Sequence, residues 1–248
     1  MPLVVKEVRA KSILSASKIF PYTLNAYTGC QHGCSYCYAR FMKRVTGHSE
    51  PWGEFVDVKV NAAELLPAEL ARKKPGKVWI SGVCDPYQPL EARYRLIRQC
   101  LRILVAHGWP LVIQTRSPLV TRDIDILRGA PGVEVGLSVT TADDAVRKLF
   151  EPNAPSIGAR LRALQELHDA GIRTYAMVAP LLPGAEGLAE LLPGKIDYLL
   201  IDRMNYHYGD WVYRKYGLQD KLSPEYFECV ERELSAACNR APLEGHRG

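Results

Sequence analysis

Short apolar runs alternate with longer stretches of helical period along most of this chain. The runs at 24–27, 77–83, 110–115, 133–140, 172–179 and 196–201 are mostly β-branched or continuously apolar. Strands buried on both faces of a parallel sheet have this composition. Between them the spacing predicts helices over 39–46, 62–73, 90–107, 122–127, 156–170 and 188–192. Gly108, Gly129 and Gly171 stand just past helical runs, where a residue free to turn left-handed ends a helix. Such alternation builds repeated βα units, and hence an α/β fold. Six strands fall short of a closed eight-stranded barrel. In barrels of this kind the loops after the strands carry function. The polar and sulfur-bearing residues fall there: a cysteine loop after the first run, Cys84-Asp85-Pro86-Tyr87-Gln88-Pro89 after the second, and Thr115-Arg116-Ser117 after the third. Ser138 to Thr141 ends the fourth, Pro180 to Gly184 follows the fifth, and Asp202 to His207 follows the sixth.

Three of the seven cysteines crowd into Cys30-Gln31-His32-Gly33-Cys34-Ser35-Tyr36-Cys37. An iron-sulfur cluster that only carries electrons is usually held by four cysteines, so three leave one iron open to another ligand. Zinc on cysteine favours two pairs, or a pair with two histidines. Here there is one triplet, and His32, between two of its members, has poor reach as a fourth ligand. A disulfide framework is disfavoured by the odd number, the thin spread and the absence of a secretory pattern in Met1-Pro2-Leu3-Val4-Val5-Lys6. The triplet therefore reads as the protein ligands of a [4Fe-4S] cluster, with a zinc site or plain structural thiols as alternatives.

The run Tyr27-Thr28-Gly29-Cys30, then Cys34-Ser35-Tyr36-Cys37-Tyr38-Ala39-Arg40, resembles the cluster loop of the radical S-adenosylmethionine (SAM) superfamily. Within it, the chain is similar to the spore photoproduct lyase-like branch. The similarity extends through Asp85-Pro86-Tyr87-Gln88-Pro89-Leu90-Glu91, Thr115-Arg116-Ser117, Arg122-Asp123-Ile124-Asp125, Glu151-Pro152, Ala179-Pro180 and Ile201-Asp202-Arg203-Met204-Asn205. It implies a partial (β/α)6 TIM-type barrel. It also implies reductive cleavage of SAM by the cluster, giving a 5′-deoxyadenosyl radical that abstracts a substrate hydrogen. The implied electron donor is a flavodoxin or ferredoxin.

The same resemblance assigns candidate residues. Cys30, Cys34 and Cys37 would hold the cluster. Tyr36 would lie on the adenine side of SAM, or pack behind the cluster. Arg116, where lysine is common in the branch, would meet the SAM carboxylate through a planar two-point contact, or form a surface salt bridge. Ser138 would bind the ribose, or be a buried serine bonded to backbone. Asp85 stands where many members carry Gly-Gly-Glu. It would either replace that glutamate or cap the next helix, for which an Asp-Pro pair is well suited. Cys84 lies 47 residues after Cys37, in the loop where the lyase keeps a hydrogen-atom donor, though its local frame differs. Tyr36 and Tyr38 match the tyrosines proposed to relay that lyase's radical. A small buried thiol is the other reading of Cys84, and Cys100, Cys229 and Cys238 read as packing residues.

Composition adds limits. A length of 248 residues buries one large core, with residues 1–20 as an N-terminal extension, 21–216 as the barrel and 217–248 as a C-terminal helix, over 224–238, and tail packing on it. No apolar run reaches membrane-spanning length, so the expected partners exclude membrane and the expected compartment is the cytoplasm. A net charge of +5 is compatible with nucleic acid but does not single it out. The triplet Arg72-Lys73-Lys74 reads as a solvated helix end. The substrate is open between a small molecule, a peptide and a nucleoside or nucleic acid. Reversal of a lesion in a duplex is not expected, given the 29 residues ahead of Cys30. Two rivals stand beside the enzyme: a non-catalytic iron-sulfur protein for sensing or electron storage, and a zinc-stabilised nucleic-acid-binding module.

Overall fold

The computed structural model describes residues 3–240. Its strands are, in chain order, β1 (Val4–Val8), β2 (Leu14–Ala16), β3 (Tyr22–Leu24), β4 (Tyr27–Thr28), β5 (Phe55–Lys59), β6 (Val78–Ile80), β7 (Leu111–Thr115), β8 (Val133–Ser138), β9 (Arg173–Val178) and β10 (Tyr198–Ile201). The main sheet runs β10-β9-β8-β7-β6-β3-β2. From β3 through β10 every neighbouring pair is parallel, and β2 closes the β3 edge antiparallel. The six parallel strands lie in sequence order with helices between them, which makes this a partial TIM-type barrel. The far edge, β10, is capped where Leu199 N–H donates to Asn239 O at 2.7 Å. The tail of the expected C-terminal unit, residues 241–248, lies outside the described residues.

A second sheet, β1-β5-β4, stands beside the barrel. Its middle strand, β5, is almost wholly buried and was not among the expected strands; Asp57 and Lys59 interrupt its apolar run. β1 and β2 arise in the segment expected as an extension. The run expected as a strand at 24–27 breaks in two, because Asn25 turns away to serve another loop. Its Oδ1 accepts Ser81 Oγ at 2.6 Å, Gly82 N at 2.8 Å and Val83 N at 3.1 Å.

The helix expected over 90–107 also breaks, into Glu91–Tyr94 and Leu96–Ala106. Arg95 between them is left-handed, with φ 52°. The buried Glu91 side chain then accepts the first free N–H groups of the second helix, from Ile97 at 3.1 Å and Arg98 at 3.2 Å. These are donors a helix start leaves unpaired. Helices Asp144–Phe150 and Asp210–Tyr216 were not expected. The first is capped by Asp143, whose Oδ1 accepts Ala145 N at 2.7 Å.

Close approach fixes two glycines. At Gly136 in β8 an added Cβ would lie 2.1 Å from the Tyr175 ring, so the ring crosses the strand only because no side chain stands there. Ser138, two residues on, shares that face. At Gly29, just ahead of the first cluster cysteine, φ is +88° and a Cβ would sit 2.3 Å from Phe55 O; the backbone turns against β5 there.

Candidate functional site at the strand ends

The cysteine loop leaves β4, which pairs with β5 at Tyr27–Val58 and Thr28–Asp57. It is held largely through its own main-chain groups and the Gln31 side chain. Gln31 N donates to Gln88 Oε1 at 3.0 Å, Leu90 N to Gln31 Oε1 at 2.8 Å, and Gln88 Nε2 to Gly29 O at 3.2 Å. On the other side Ser35 N donates to Phe150 O at 2.8 Å and Asn153 Nδ2 to Gln31 O at 3.1 Å. The loop is thus tied to the segments after β6 and after the helix Asp144–Phe150 before any ligand arrives.

Cys30 and Cys34 are buried, and Cys37 is partly so. Burial pushes the Cys30 thiol well above its ordinary value, and neighbouring Asp85 and Cys34 add to this. Burial pushes Cys34 up to about 12 against the pull of the Arg116 guanidinium. Thiols so placed stay protonated on their own, and a coordinating metal ion removes the proton. Among the described residues no three His, Cys, Asp or Glu side chains converge on a single point as ligands of one ion would. A cubane spreads its thiolates over separate irons and does not require such convergence. The donor set, three sulfurs with no converging nitrogen or oxygen, fits an iron-sulfur cluster.

Asp85 sits beside this loop, buried, with both oxygens engaged. Oδ1 accepts Tyr87 N at 2.9 Å and Thr115 Oγ1 at 2.6 Å; Oδ2 accepts Arg116 N at 2.7 Å. His32 Nε2 lies 3.3 Å from Oδ2, an ion-pair contact off the hydrogen-bond line. Burial works against the charge, but His32 and these hydrogen bonds hold the carboxyl at about 2. Asp85 therefore ties the cluster loop to the end of β7, with its bonds turned inward.

The other wall centres on Glu151, which sequence reasoning gave no role beyond its Glu-Pro pair. Its carboxylate accepts Tyr36 Oη, Arg160 Nη2, Thr140 Oγ1 at 3.0 Å and Arg116 Nε at 3.3 Å. Arg116 Nη2 also donates to Tyr36 Oη at 2.9 Å. Arg160 and Glu151 are both fully buried, and Arg160 donates further to Ser138 O at 2.9 Å and Pro155 O at 3.0 Å. Burial opposes ionisation of Glu151, yet Arg160 and Arg116 hold its carboxyl at about 2. Ser138 is buried at the end of β8, its Oγ accepting Gln114 Nε2 at 3.3 Å. Cys34, Tyr36, Arg116 and Glu151 thus gather at one place. The surface salt bridge weighed for Arg116 is in fact a partly buried one, made to Glu151.

Cys84 stands on the opposite side, near Cys30 and Tyr38. Its Sγ lies 3.2 Å from Ser81 Oγ and donates to Tyr27 O at 3.4 Å. Burial pushes the thiol up to about 12, with the Ser81 contact working against it. Tyr38 donates to Gly82 O and is exposed. The two tyrosines flanking Cys37 therefore part company: Tyr36 goes to the Arg116 wall, Tyr38 to the Cys84 wall. Beyond Tyr38, Tyr206 and Tyr208 continue a stack with centroid spacings of 6.0 and 6.1 Å, and Arg40 lies 4.9 Å from the Tyr208 ring. Exposed rings of this kind can stack on a planar group. Of the remaining cysteines, Cys100 is in the core as expected, but Cys229 is exposed. It lies on the outer face of the helix Pro224–Ala237, opposite the Val230 and Leu234 contacts that dock that helix.

Comparison with known proteins places this geometry. The profile of the radical SAM superfamily matches residues 24–186. An uncharacterized protein of Methanocaldococcus jannaschii is 36% identical over 179 residues, covering 71% of this chain and 67% of that protein. A radical SAM Nalpha-GlyT isomerase of Pseudomonas phage M6 is 27% identical over 159 residues, covering 62% of this chain and 32% of that protein. The chain spans 56% to 67% of the length of the first curated relatives it matches. A solved spore photoproduct lyase, complexed with dinucleoside spore photoproduct, superposes with TM-score 0.68 at 16% identity, over 94% of this chain and 78% of that one. That likeness is one of fold.

Proposed function

Because the chain belongs to the radical SAM superfamily, we propose that it is an enzyme that cleaves SAM reductively at a [4Fe-4S] cluster held by Cys30, Cys34 and Cys37. The observation that carries this reading is the compact, pre-tied loop of three sulfurs with the Arg116 guanidinium beside Cys34 and Tyr36. When bound, the cluster and SAM supply one-electron cleavage to methionine and a 5′-deoxyadenosyl radical, which takes a hydrogen atom from the substrate. The chain's own residues bind and orient. Arg116 offers a guanidinium to the SAM carboxylate, Ser138 a hydroxyl to the ribose, and Tyr36 a ring to the adenine side. Asp85 fixes the loop through its inward bonds to Tyr87, Thr115 and Arg116. Among the described residues no helix is long and apolar enough to cross a membrane; a cytoplasmic setting with a flavodoxin or ferredoxin as electron donor fits this reading.

The test is anaerobic reconstitution followed by electron paramagnetic resonance of the reduced protein. The expected result is a [4Fe-4S] signal that shifts on adding SAM, with methionine and 5′-deoxyadenosine released. A cluster indifferent to SAM would return the chain to the sensor or storage rival, and zinc in place of iron would favour the nucleic-acid-binding one.

Cys84 enters the same reading as a hydrogen-atom donor to the product radical. It is supported by the closeness of its thiol to Cys30 and Tyr38. Cys84→Ala is expected to cleave SAM at the wild-type rate but to change how the substrate radical ends. Once a substrate is found, an unaltered product distribution by mass spectrometry would leave Cys84 a packing residue.

A further inference from the structure

The Arg116 guanidinium is only half used. Its Nε and Nη2 form one side of the planar fork, and that side is taken by Glu151 Oε1 at 3.3 Å and Tyr36 Oη at 2.9 Å. No protein acceptor among the described residues meets Nη1. A guanidinium gripped along one edge has its plane set, and presents the other edge as a two-donor fork. The grip is itself anchored. Glu151 is completely buried and bound from behind by Arg160, which is equally buried and spans the end of β8 through Ser138 O and the turn at Pro155. Thr140 fixes the same Glu151 oxygen that Arg116 uses.

We propose that Glu151 is a positioning residue for SAM: held by Arg160, it orients Arg116 and the Tyr36 hydroxyl so that the free guanidinium edge faces the cofactor's carboxylate. The inference rests on the SAM-binding reading above and adds to it the residue that sets the angle of the carboxylate clamp. A long, flexible arginine left to itself loses rotamer freedom on binding; the Glu151 grip removes that loss in advance. Glu151 touches no ligand in this account and acts through Arg116.

The experiment is calorimetric titration of anaerobically reconstituted protein with two ligands. SAM carries the carboxylate; 5′-methylthioadenosine keeps adenine and ribose but lacks it. Glu151→Gln is expected to weaken SAM roughly tenfold while leaving methylthioadenosine unchanged. Combined with Arg116→Ala it is expected to bind SAM no worse than Arg116→Ala alone, because the two act as one unit. Glu151→Gln leaves Arg160 without its buried counter-charge and can fail to fold. Tyr36→Phe then carries the test, since it keeps the ring and deletes only the hydroxyl between carboxylate and guanidinium. It too is expected to lose SAM selectively, by about half as much on a logarithmic scale. Equal weakening of both ligands, or unchanged SAM affinity in a folded variant, overturns the positioning role. Wild-type protein that takes up the cluster yet binds no SAM overturns the SAM-binding reading and the inference with it, so the two failures are told apart by the wild-type titration.

Discussion

Replacing Cys30, Cys34 or Cys37 singly by alanine is expected to reduce SAM cleavage to background and to cut the iron retained after anaerobic reconstitution. On the proposed reading each thiol would hold a different iron of the cube, so no remaining cysteine could take over by a small movement. Cys84 is the nearest other thiol, and its sulfur is turned to Ser81 and to Tyr27 O. The loop should survive the change. Its bonds to Gln88, Phe150 and Asn153 are made mainly by main chain and by Gln31, and circular dichroism of the three variants should match the wild type. Cys100→Ala and Cys229→Ala are the controls, one buried and one exposed, and both should keep iron and cleavage. Iron analysis and quantitation of 5′-deoxyadenosine decide the matter. Wild-type iron and cleavage in any one of the three variants would remove that cysteine from the ligand set.

Local pattern made the barrel legible and left the walls of its site dark. Five of the six apolar runs became β6, β7, β8, β9 and β10 because a strand covered on both faces must be apolar throughout, a property visible in a few consecutive residues; the run at 24–27 gave only the end of β3 and the start of β4. The cysteine loop was equally plain, since its spacing lies within eight residues. Other features depend on partners far away in the chain. Tyr36 meets Glu151 across 115 residues, and Glu151 closes a helix, Asp144–Phe150, that had no clear helical stripe. Asp85 could be assigned either to a ligand or to a turn; Thr115, Arg116 and His32, gathered only by folding, turn it inward. Arg116 was expected to offer a planar two-point contact; one edge of its guanidinium is spent on Glu151 and Tyr36, which leaves that contact to the other edge. The break at Arg95 was hidden for the same reason. An unbroken helical period ran through it, while the Glu91 side chain that caps the second helix lies four residues earlier and answers to Tyr27 and Arg122 as well.

Glu91→Ala is expected to be the most destabilising single change that leaves the proposed SAM contacts untouched. Glu91 is completely buried. Its carboxylate accepts Tyr27 Oη at 2.5 Å, Ile97 N at 3.1 Å, Arg98 N at 3.2 Å and Arg122 Nη2 at 2.8 Å. Truncation strands a phenol and two helix N–H groups in the interior, and leaves Arg122 to Asp123 and the main-chain carbonyl of residue 91. Breaking one side of a buried pair costs about 3–5 kcal/mol, and each stranded donor adds to the difficulty of re-forming the site with water. For a chain of this size that corresponds to a melting temperature lower by roughly 6–20 °C. Two controls separate the contributions. Glu91→Gln keeps the volume and one carbonyl acceptor, and should lose less than the alanine variant. Tyr27→Phe removes a single hydroxyl and should cost only about 1 kcal/mol. Tyr27 leads directly into the cysteine loop through Thr28 and Gly29, so the alanine variant should also hold its cluster less well at temperatures where wild-type protein keeps it. Anaerobic thermal unfolding followed by circular dichroism, with iron release recorded on the same sample, tests both parts. An alanine variant that melts with the wild type would mean that Arg122 and the helix start are satisfied without Glu91, and that the break at Arg95 has another cause.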